Sequence, residues 1–547
     1  MLQCPSGKAL EQHHTHPAFV KQVPARSTGL PLFLNLFQAR HFLIFRIYHQ
    51  QVPYANLNRS PGTLHPIQHQ QHMSSIYFIG IGGTAMASVA VALSRIGHAV
   101  TGSDTGLYPP MSTYLDEHNI RYFNGFNPEN LKQVMPDMVV VGNAVSRGNE
   151  ELEYALNEKM ELVSMPDLVR RELIGHNTSI VVAGTHGKTT TTSIIAWLLE
   201  YGGLKPGFLV GGIPENFGIG CRPSGRSEAG FFVSEGDEYD TAFFDKRSKF
   251  LLYRPDIGLI NNVEFDHADI FNSLEEIKRS FRLFVNLIPS NGALIVNGDD
   301  PAAMEVAAGA RCRVETFGLT EGCDWMARNI EVGENGSAFD LYYKGSLERR
   351  FHAPLFGNYN ITNTVASIAV ATLAGMTLQQ TAEALPGFLR PKRRMETIGT
   401  FEGNITVVED FAHHPTAIKV TLEAIRERWP QRRIITCFEP RSNTTTRNIF
   451  QRELAECFGP AEVVVMGKVH RPERYGPEGS LDTGKLKEAL EAEGKTVFLA
   501  GADPDDYPGD IIRFLHENLH PNDVVLMLTN GSFAGLKTAF TESFQKK

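Results

Sequence analysis

The sequence predicts an α/β protein of three domains: a Rossmann-like domain, a central P-loop ATPase-type domain on a mostly parallel sheet, and a second Rossmann-like domain at the C-terminus. Three observations carry that expectation. The chain has 547 residues, too many for one hydrophobic core and enough for three or four domains. Short apolar runs without polar alternation, such as 138–142 and 180–183, have the pattern of strands buried on both faces. A glycine-rich or polar turn follows several of these runs, and then a segment apolar at helical spacing, the order of a βα unit.

Residues 1–72 stand apart from this pattern. They hold six Lys/Arg against the single acid Glu11, a net of +5 that leaves −14 for the rest of a chain whose total is −9, and eight of the 19 histidines. The apolar stretch 30–48 is broken by Arg40, His41 and Arg46, which makes it a poor membrane span. It also lacks the ordered regions of a signal peptide. Met73 directly precedes a clean strand, so 1–72 is expected to be an unfolded extension upstream of the natural start, with a targeting or interaction arm as the alternative. The overall acidic balance argues against nucleic acid as the main partner. Six scattered cysteines without metal or disulfide spacing fit free thiols in a reducing cytoplasm.

The first domain, 73–176, opens with strand 76–79, the turn Gly80, Gly82, Gly83, helix 86–96 and strand 99–102, ending at Asp104. The turn fits G-x-G-x-x-[GA], with an acid 24 residues beyond Gly80, so a diphosphate-like group could lie on this helix N-terminus. That fingerprint is equally compatible with NAD and with a UDP-sugar.

The second domain, 177–392, begins with IVVAGTHGKTTTT at 180–192. The strict Walker spacing is not met, because Val182 stands five before Gly187. The shorter form still places glycines, Lys188 and Thr189 at a helix N-terminus, where N–H groups cradle phosphate, a lysine reaches the β/γ-phosphates and a hydroxyl can meet Mg²⁺. Gly184, Thr185, His186, Gly187, Lys188, Thr189 and Thr190 are the expected ATP loop. Acidic stretches close two further strands, FFVSEGDEYD at 231–240 and LINNVEFDHADIF at 259–271. Carboxylates at the carboxyl edge of a parallel sheet can hold Mg²⁺ beside phosphate. Glu235 and His267 are the candidates, with Thr189, for a metal or phosphate site. Asn360 and Asn363 lead an alanine-rich helix, and could cap it or read an adenine edge. The basic run Arg390, Lys392, Arg393, Arg394 has the look of an interdomain hinge.

The third domain, 393–547, again alternates strands (405–408, 433–438, 462–465, 524–528) with helices. Three polar loops close strands in it: EDFAHHP at 409–415, FEPRSNT at 438–444 and LTNGSFAG at 528–535. They indicate a binding edge.

Taken together, these motifs resemble the Mur ligase family, the ADP-forming ligases that build peptidoglycan precursors. The matching pieces are GIGGTAM (80–86) with Ser103 and Asp104, AGTHGKTTT (183–191), EGDEYD (235–240), FDHADIF (265–271), NYNITN (358–363), RRME (393–396) and DFAHHPT (410–416). The resemblance implies that the first domain holds a UDP-sugar, through Gly80, Gly82, Gly83, Thr84, Ser103 and Asp104, with His414 reaching it from the third. It implies ATP and Mg²⁺ as cofactors, Lys188, His267 and Arg394 as catalytic residues, and Thr189, Glu235 and His267 as metal ligands. Asn360 and Asn363 would hold adenine, while Arg394 and Asp410 reach the nucleotide. Where the family usually carries His-Asn-x-x-Asn, this chain has Tyr359 in the histidine position.

The first domain and DFAHHPT are similar to the branch that acts directly on UDP-N-acetylmuramate. YPPMST (108–113), GNAVSRGN (142–149), FFDKRSKF (243–250), EPRSNT (439–444) and TNGSFAG (529–535) are similar to members that attach the preformed murein tripeptide L-alanyl-γ-D-glutamyl-meso-diaminopimelate, used in recycling, rather than free L-alanine. Arg441, Ser442 and Asn443 are the candidates for the peptide, since an arginine fork suits its carboxylates. The implied enzyme is a cytoplasmic monomer or weak homo-oligomer with no membrane insertion. Free L-alanine as acceptor, a nucleotide-sugar dehydrogenase and a non-catalytic sensor of ATP and UDP-muramate remain as alternatives.

Overall fold

The computed structural model describes residues 73–107, 111–225, 230–501 and 507–544, all within one compact unit. The expected extension 1–72 and the first three residues of YPPMST lie outside the described residues.

The first sheet has five parallel strands in the order Arg121–Asn124, Ala99–Asp104, Ser75–Ile79, Met138–Val141, Leu162–Ser164. The order reverses beside the Ser75–Ile79 strand, which feeds the glycine turn and the helix Thr84–Arg95. That reversal opens the crevice in which such sheets take ligands.

The second sheet has ten strands. Its parallel core centres on Thr178–Ala183, flanked by Phe231–Gly236 on one side and Ile257–Ile260 on the other. The phosphate loop and both acidic stretches therefore leave the same edge from neighbouring strands. A run of three long strands (Trp325–Gly333, Gly336–Tyr343, Ser346–Ala353), paired antiparallel, extends this sheet. No motif had marked it. The third sheet has six strands, parallel except for its edge strand Glu396–Phe401.

Helix Lys188–Tyr201 packs on the central sheet through Ile194, Ile195, Leu198 and Leu199, all fully buried beside Ile180 and Val182. The helix Asn358–Leu373 covers the same face. Its cap is Gly357 and not an asparagine: Asn360 and Asn363 sit inside its first two turns. The apolar core is continuous from Ile76 and Val89 of the first sheet region to Phe250 and Phe281 of the central one. Among the described residues no helix is long and apolar enough to cross a membrane.

Candidate active site between three sheets

One cavity of about 810 Å³ is lined by residues of all three sheet regions: Thr84 from the first, Lys188, Glu235 and His267 from the second, Asp410 and Arg441 from the third. Its floor is the phosphate loop. The helix starts immediately after Gly187, whose φ of +83° is a left-handed conformation that glycine supplies without strain. A Cβ there would also meet the Asn363 amide at 2.7 Å and Asn261 Nδ2 at 2.9 Å. Gly187→Ala is therefore expected to cost about 1–3 kcal/mol and to weaken ATP binding. A thermal melt and a nucleotide titration check both, and an unchanged melting point would contradict the geometry.

The Thr185 and His186 N–H groups donate to Asn262, at 3.2 and 2.7 Å, which pins the loop to the neighbouring strand end. The N–H groups of Lys188, Thr189 and Thr190 are first-turn donors without intrahelical acceptors, and so form the anion cradle. The Lys188 ammonium donates to the Gly184 carbonyl (2.6 Å) and to Glu238 (2.9 Å). Burial opposes that charge, but Glu238, Asp237 and Glu235 outweigh it and hold the ammonium above its ordinary value. Glu238, only 1 % exposed, also lies 3.4 Å from His267 Nε2. Burial likewise opposes the charged His267 ring, and Glu238 raises it. Position 238 was not singled out by the sequence pattern, which shows four acids in six residues and not which one is buried.

Glu235 behaves differently. It accepts from the Gly211 N–H (2.7 Å) and from the Thr189 hydroxyl (3.2 Å), and burial, then Asp237, push its carboxyl up to about 7. A buried carboxylate with no ion pair among the described residues, next to a hydroxyl and beside a phosphate cradle, fits a Mg²⁺ site of few protein oxygens. Arg394 Nη2 donates to the same Thr189 hydroxyl at 3.0 Å, and its guanidinium lies 4.7 Å over the Phe411 ring. Asp410 is buried, and both its oxygens accept backbone N–H groups, from Met395 and Ala412 at 2.7 Å. It thus fixes the hinge against the third sheet.

Asn360 donates to the Phe356 carbonyl (2.9 Å), and Asn363 Nδ2 is buried with no hydrogen-bond partner among the described residues. Tyr359 donates to Met395 Sδ at 3.1 Å and lines the cavity.

The glycine turn of the first sheet is braced from within. Gly80 and Ile81 donate to the Ser103 carbonyl, and Gly82 donates to Asp104 at 2.7 Å. Ser103 is fully buried, its hydroxyl on Glu151. Gly80, Gly82, Ser103 and Asp104 thus hold one another, with Asp104 accepting from the turn and from the Thr105 N–H. The helix N-terminus at Gly83 and Thr84, which has no side-chain cap, is the part left open. Glu151 anchors this arrangement, accepting from Tyr77, Ser103, Asn127 and Asn130.

The third-domain loops divide similarly. Arg441 crosses Gly531 so closely that a Cβ there would lie 2.3 Å from its side chain, which explains the glycine in TNGSFAG. Ser442 is committed to the turn, bonding Thr445 by side chain and backbone. Asn443 ties Asp269 of the central region to Arg474, at 2.8 and 3.0 Å. Ser442 and Asn443 are therefore braces in this structure, and the same wall carries Arg471, Arg474 and Tyr475 beside Arg441, none of them foreseen.

His414 caps the helix Pro415–Arg428 and contacts Phe265 and Glu264 of the central region. It shares the cavity with Thr84. Burial and neighbouring His186 depress its ring to about 4, and burial lowers His413 as well. Both are neutral at pH 7, and a base that weak at His414 is poorly matched to deprotonating an ammonium.

Known proteins resemble this chain in sequence and in fold. Three family profiles match in sequence: the Mur ligase family catalytic domain at 75–174, the Mur ligase middle domain at 182–371, and the Mur ligase glutamate ligase domain at 393–531. The UDP-N-acetylmuramate–L-alanyl-γ-D-glutamyl-meso-2,6-diaminoheptandioate ligase of Haemophilus influenzae is 37% identical over 476 residues, covering 87% of this chain and all of that one. A UDP-N-acetylmuramate–L-alanine ligase of Caldanaerobacter subterraneus is 33% identical, covering 86% and 98%. The crystal structure of a murein peptide ligase from Psychrobacter arcticus superposes with a TM-score of 0.66 at 32% identity, covering 86% and 98%. With three profiles matched in order and the phosphate loop, acidic edge and hinge arginine converging on one cavity, this chain belongs to the Mur ligase family.

Proposed function

We propose that this protein is an ATP-dependent, ADP-forming ligase of peptidoglycan recycling. It joins the tripeptide L-alanyl-γ-D-glutamyl-meso-diaminopimelate to UDP-N-acetylmuramate in the bacterial cytoplasm, as a monomer or weak homo-oligomer. The observation that carries the reading is the single cavity in which a phosphate cradle faces a wall of three arginines, Arg441, Arg471 and Arg474. The tripeptide brings three carboxylates to that wall, and free L-alanine brings one.

Residues 73–176 would hold the UDP-sugar through Gly83 and Thr84, 177–392 the ATP, and 393–547 the peptide. The lactyl carboxylate attacks the γ-phosphorus, the bond to the β-bridging oxygen breaks, and ADP leaves an acyl phosphate. The peptide's α-amine then attacks that carbonyl, inorganic phosphate departs with the C–O pair, and the ammonium proton is lost to solvent. Lys188 and Arg394 hold charge on the transferring phosphoryl group, which is mostly a matter of positioning and neutralisation. Thr189 and Glu235 would bind Mg²⁺, which would neutralise phosphate oxygens; His267, 3.4 Å from Glu238, lies on the same side. Asn363, with an unpartnered amide, suits the adenine edge better than Asn360, whose amide is already bonded.

The test is phosphate release from ATP, Mg²⁺ and UDP-N-acetylmuramate with either acceptor. Two charge-assisted contacts at about 1.5 kcal/mol each predict kcat/KM roughly 100-fold higher for the tripeptide. Preference for L-alanine would replace this reading with the activity of the Caldanaerobacter relative.

A further inference from the structure

We propose that His186, Glu264 and His414 form a binding site for a transition-metal cation of the zinc class, one that ties the phosphate-loop turn to the helix cap of the six-stranded region. The site stands on its own geometry and does not depend on the ligase reading.

His186 and Glu264 leave the carboxyl ends of two adjacent strands, Thr178–Ala183 and Ile257–Ile260, and His414 comes from the third sheet region. His186 Nε2 lies 3.4 Å from Glu264 Oε2, and His414 Nδ1 lies 3.7 Å from the same oxygen. One ligand atom from each residue falls within 4.8 Å of the others. Bonds of about 2.1 Å in a tetrahedron require ligand atoms about 3.4 Å apart, so two edges are already close to the spacing of a bound ion. Two imidazoles and one carboxylate suit zinc or cobalt rather than Mg²⁺, which takes oxygen.

The tautomers also fit. His414 Nε2 sits 3.1 Å from the Phe265 carbonyl, the outer contact that leaves the other ring nitrogen free to ligate. Among the described residues its Nδ1 is met otherwise only by the Thr416 N–H at 3.3 Å, at the long end for such a bond. His186 Nε2 is buried and makes no hydrogen bond among the described residues, an orphan that an ion would satisfy. Three protein ligands leave the fourth position to water or substrate.

The proposed ion differs from the Mg²⁺ expected at Thr189 and Glu235 in residues and in ligand type, which makes the two separable. The experiment is titration of the metal-free full-length protein with Co²⁺, followed by visible absorption and by the melting temperature. Strong tetrahedral bands are expected, persisting in excess Mg²⁺ and in His267→Asn, with a raised melting temperature. His186→Ala, His414→Ala and the near-isosteric Glu264→Gln should each weaken Co²⁺ binding by at least about 100-fold. Glu264→Gln keeps the side-chain volume, so its melting temperature without metal should stay near that of the parent. Bands lost in His267→Asn would overturn the assignment. So would bands persisting in all three variants, which would place the ion on other histidines, eight of which lie in residues 1–72.

Discussion

Lys188→Ala is expected to abolish ADP release, by at least about 1,000-fold, and also to destabilise the protein. The second effect follows from the structure. Lys188 is paired in a nearly dry site with Glu238, and Asp237 and Glu235 add to its field. Removing one partner of such a pair typically costs about 3–5 kcal/mol because the other charge stays buried. His267 offers Glu238 only partial relief at 3.4 Å. The double variant Lys188→Ala/Glu238→Gln should therefore recover most of the lost stability and none of the activity. Unfolding midpoints and ADP release for the two proteins check this. A double variant no more stable than the single one would show that Glu238 does not carry the buried charge, and turnover within tenfold of the parent would remove Lys188 from the phosphate site.

Arg394→Ala is expected to lower kcat by about 100- to 1,000-fold while leaving the tripeptide KM within a few-fold. The residue reaches from the hinge to the Thr189 hydroxyl, and its guanidinium is held over Phe411. Arg394→Lys keeps the charge but not the planar fork and should be intermediate. A pH signature accompanies it. Glu235 ionises near 7, burial raising it and Arg394 lowering it. Cation binding needs that carboxylate charged, so kcat/KM, which reports the free enzyme, should fall as pH drops through about 7. Without Arg394 the charged form is less favoured, and the acidic limb should move to higher pH. A limb that stays in place, or moves down, would separate Arg394 from Glu235.

The elements most legible in the sequence were those with a local cause. Thr178–Ala183 followed by Gly184, Gly187 and Lys188 is strand, loop and helix on pattern alone, and so is Val524–Leu528 before TNGSFAG. Asn360 and Asn363 show the limit: a cap and a second-turn position look alike until the helix start at Asn358 is known. The strands Trp325–Ala353 pair with one another through turns that carry no chemistry, so nothing in them attracted a functional reading.

By itself the sequence determined that a nucleotide phosphate is bound, that three sheet regions exist, and which family's motifs they carry, because glycine turns, apolar runs and motif order are properties of consecutive residues. Only the tertiary structure decided which acid meets which cation. Glu238 pairs with Lys188 across 50 positions, and Glu235 instead accepts from Thr189 and Gly211. Asn443 braces the central region across 174, and His186, Glu264 and His414 meet from three loops. Those pairings depend on the registers of parallel strands and on how the third sheet sits against the second. Charge type and spacing along the chain do not encode either, since burial makes one of several neighbouring carboxylates a counter-ion and leaves the next one free.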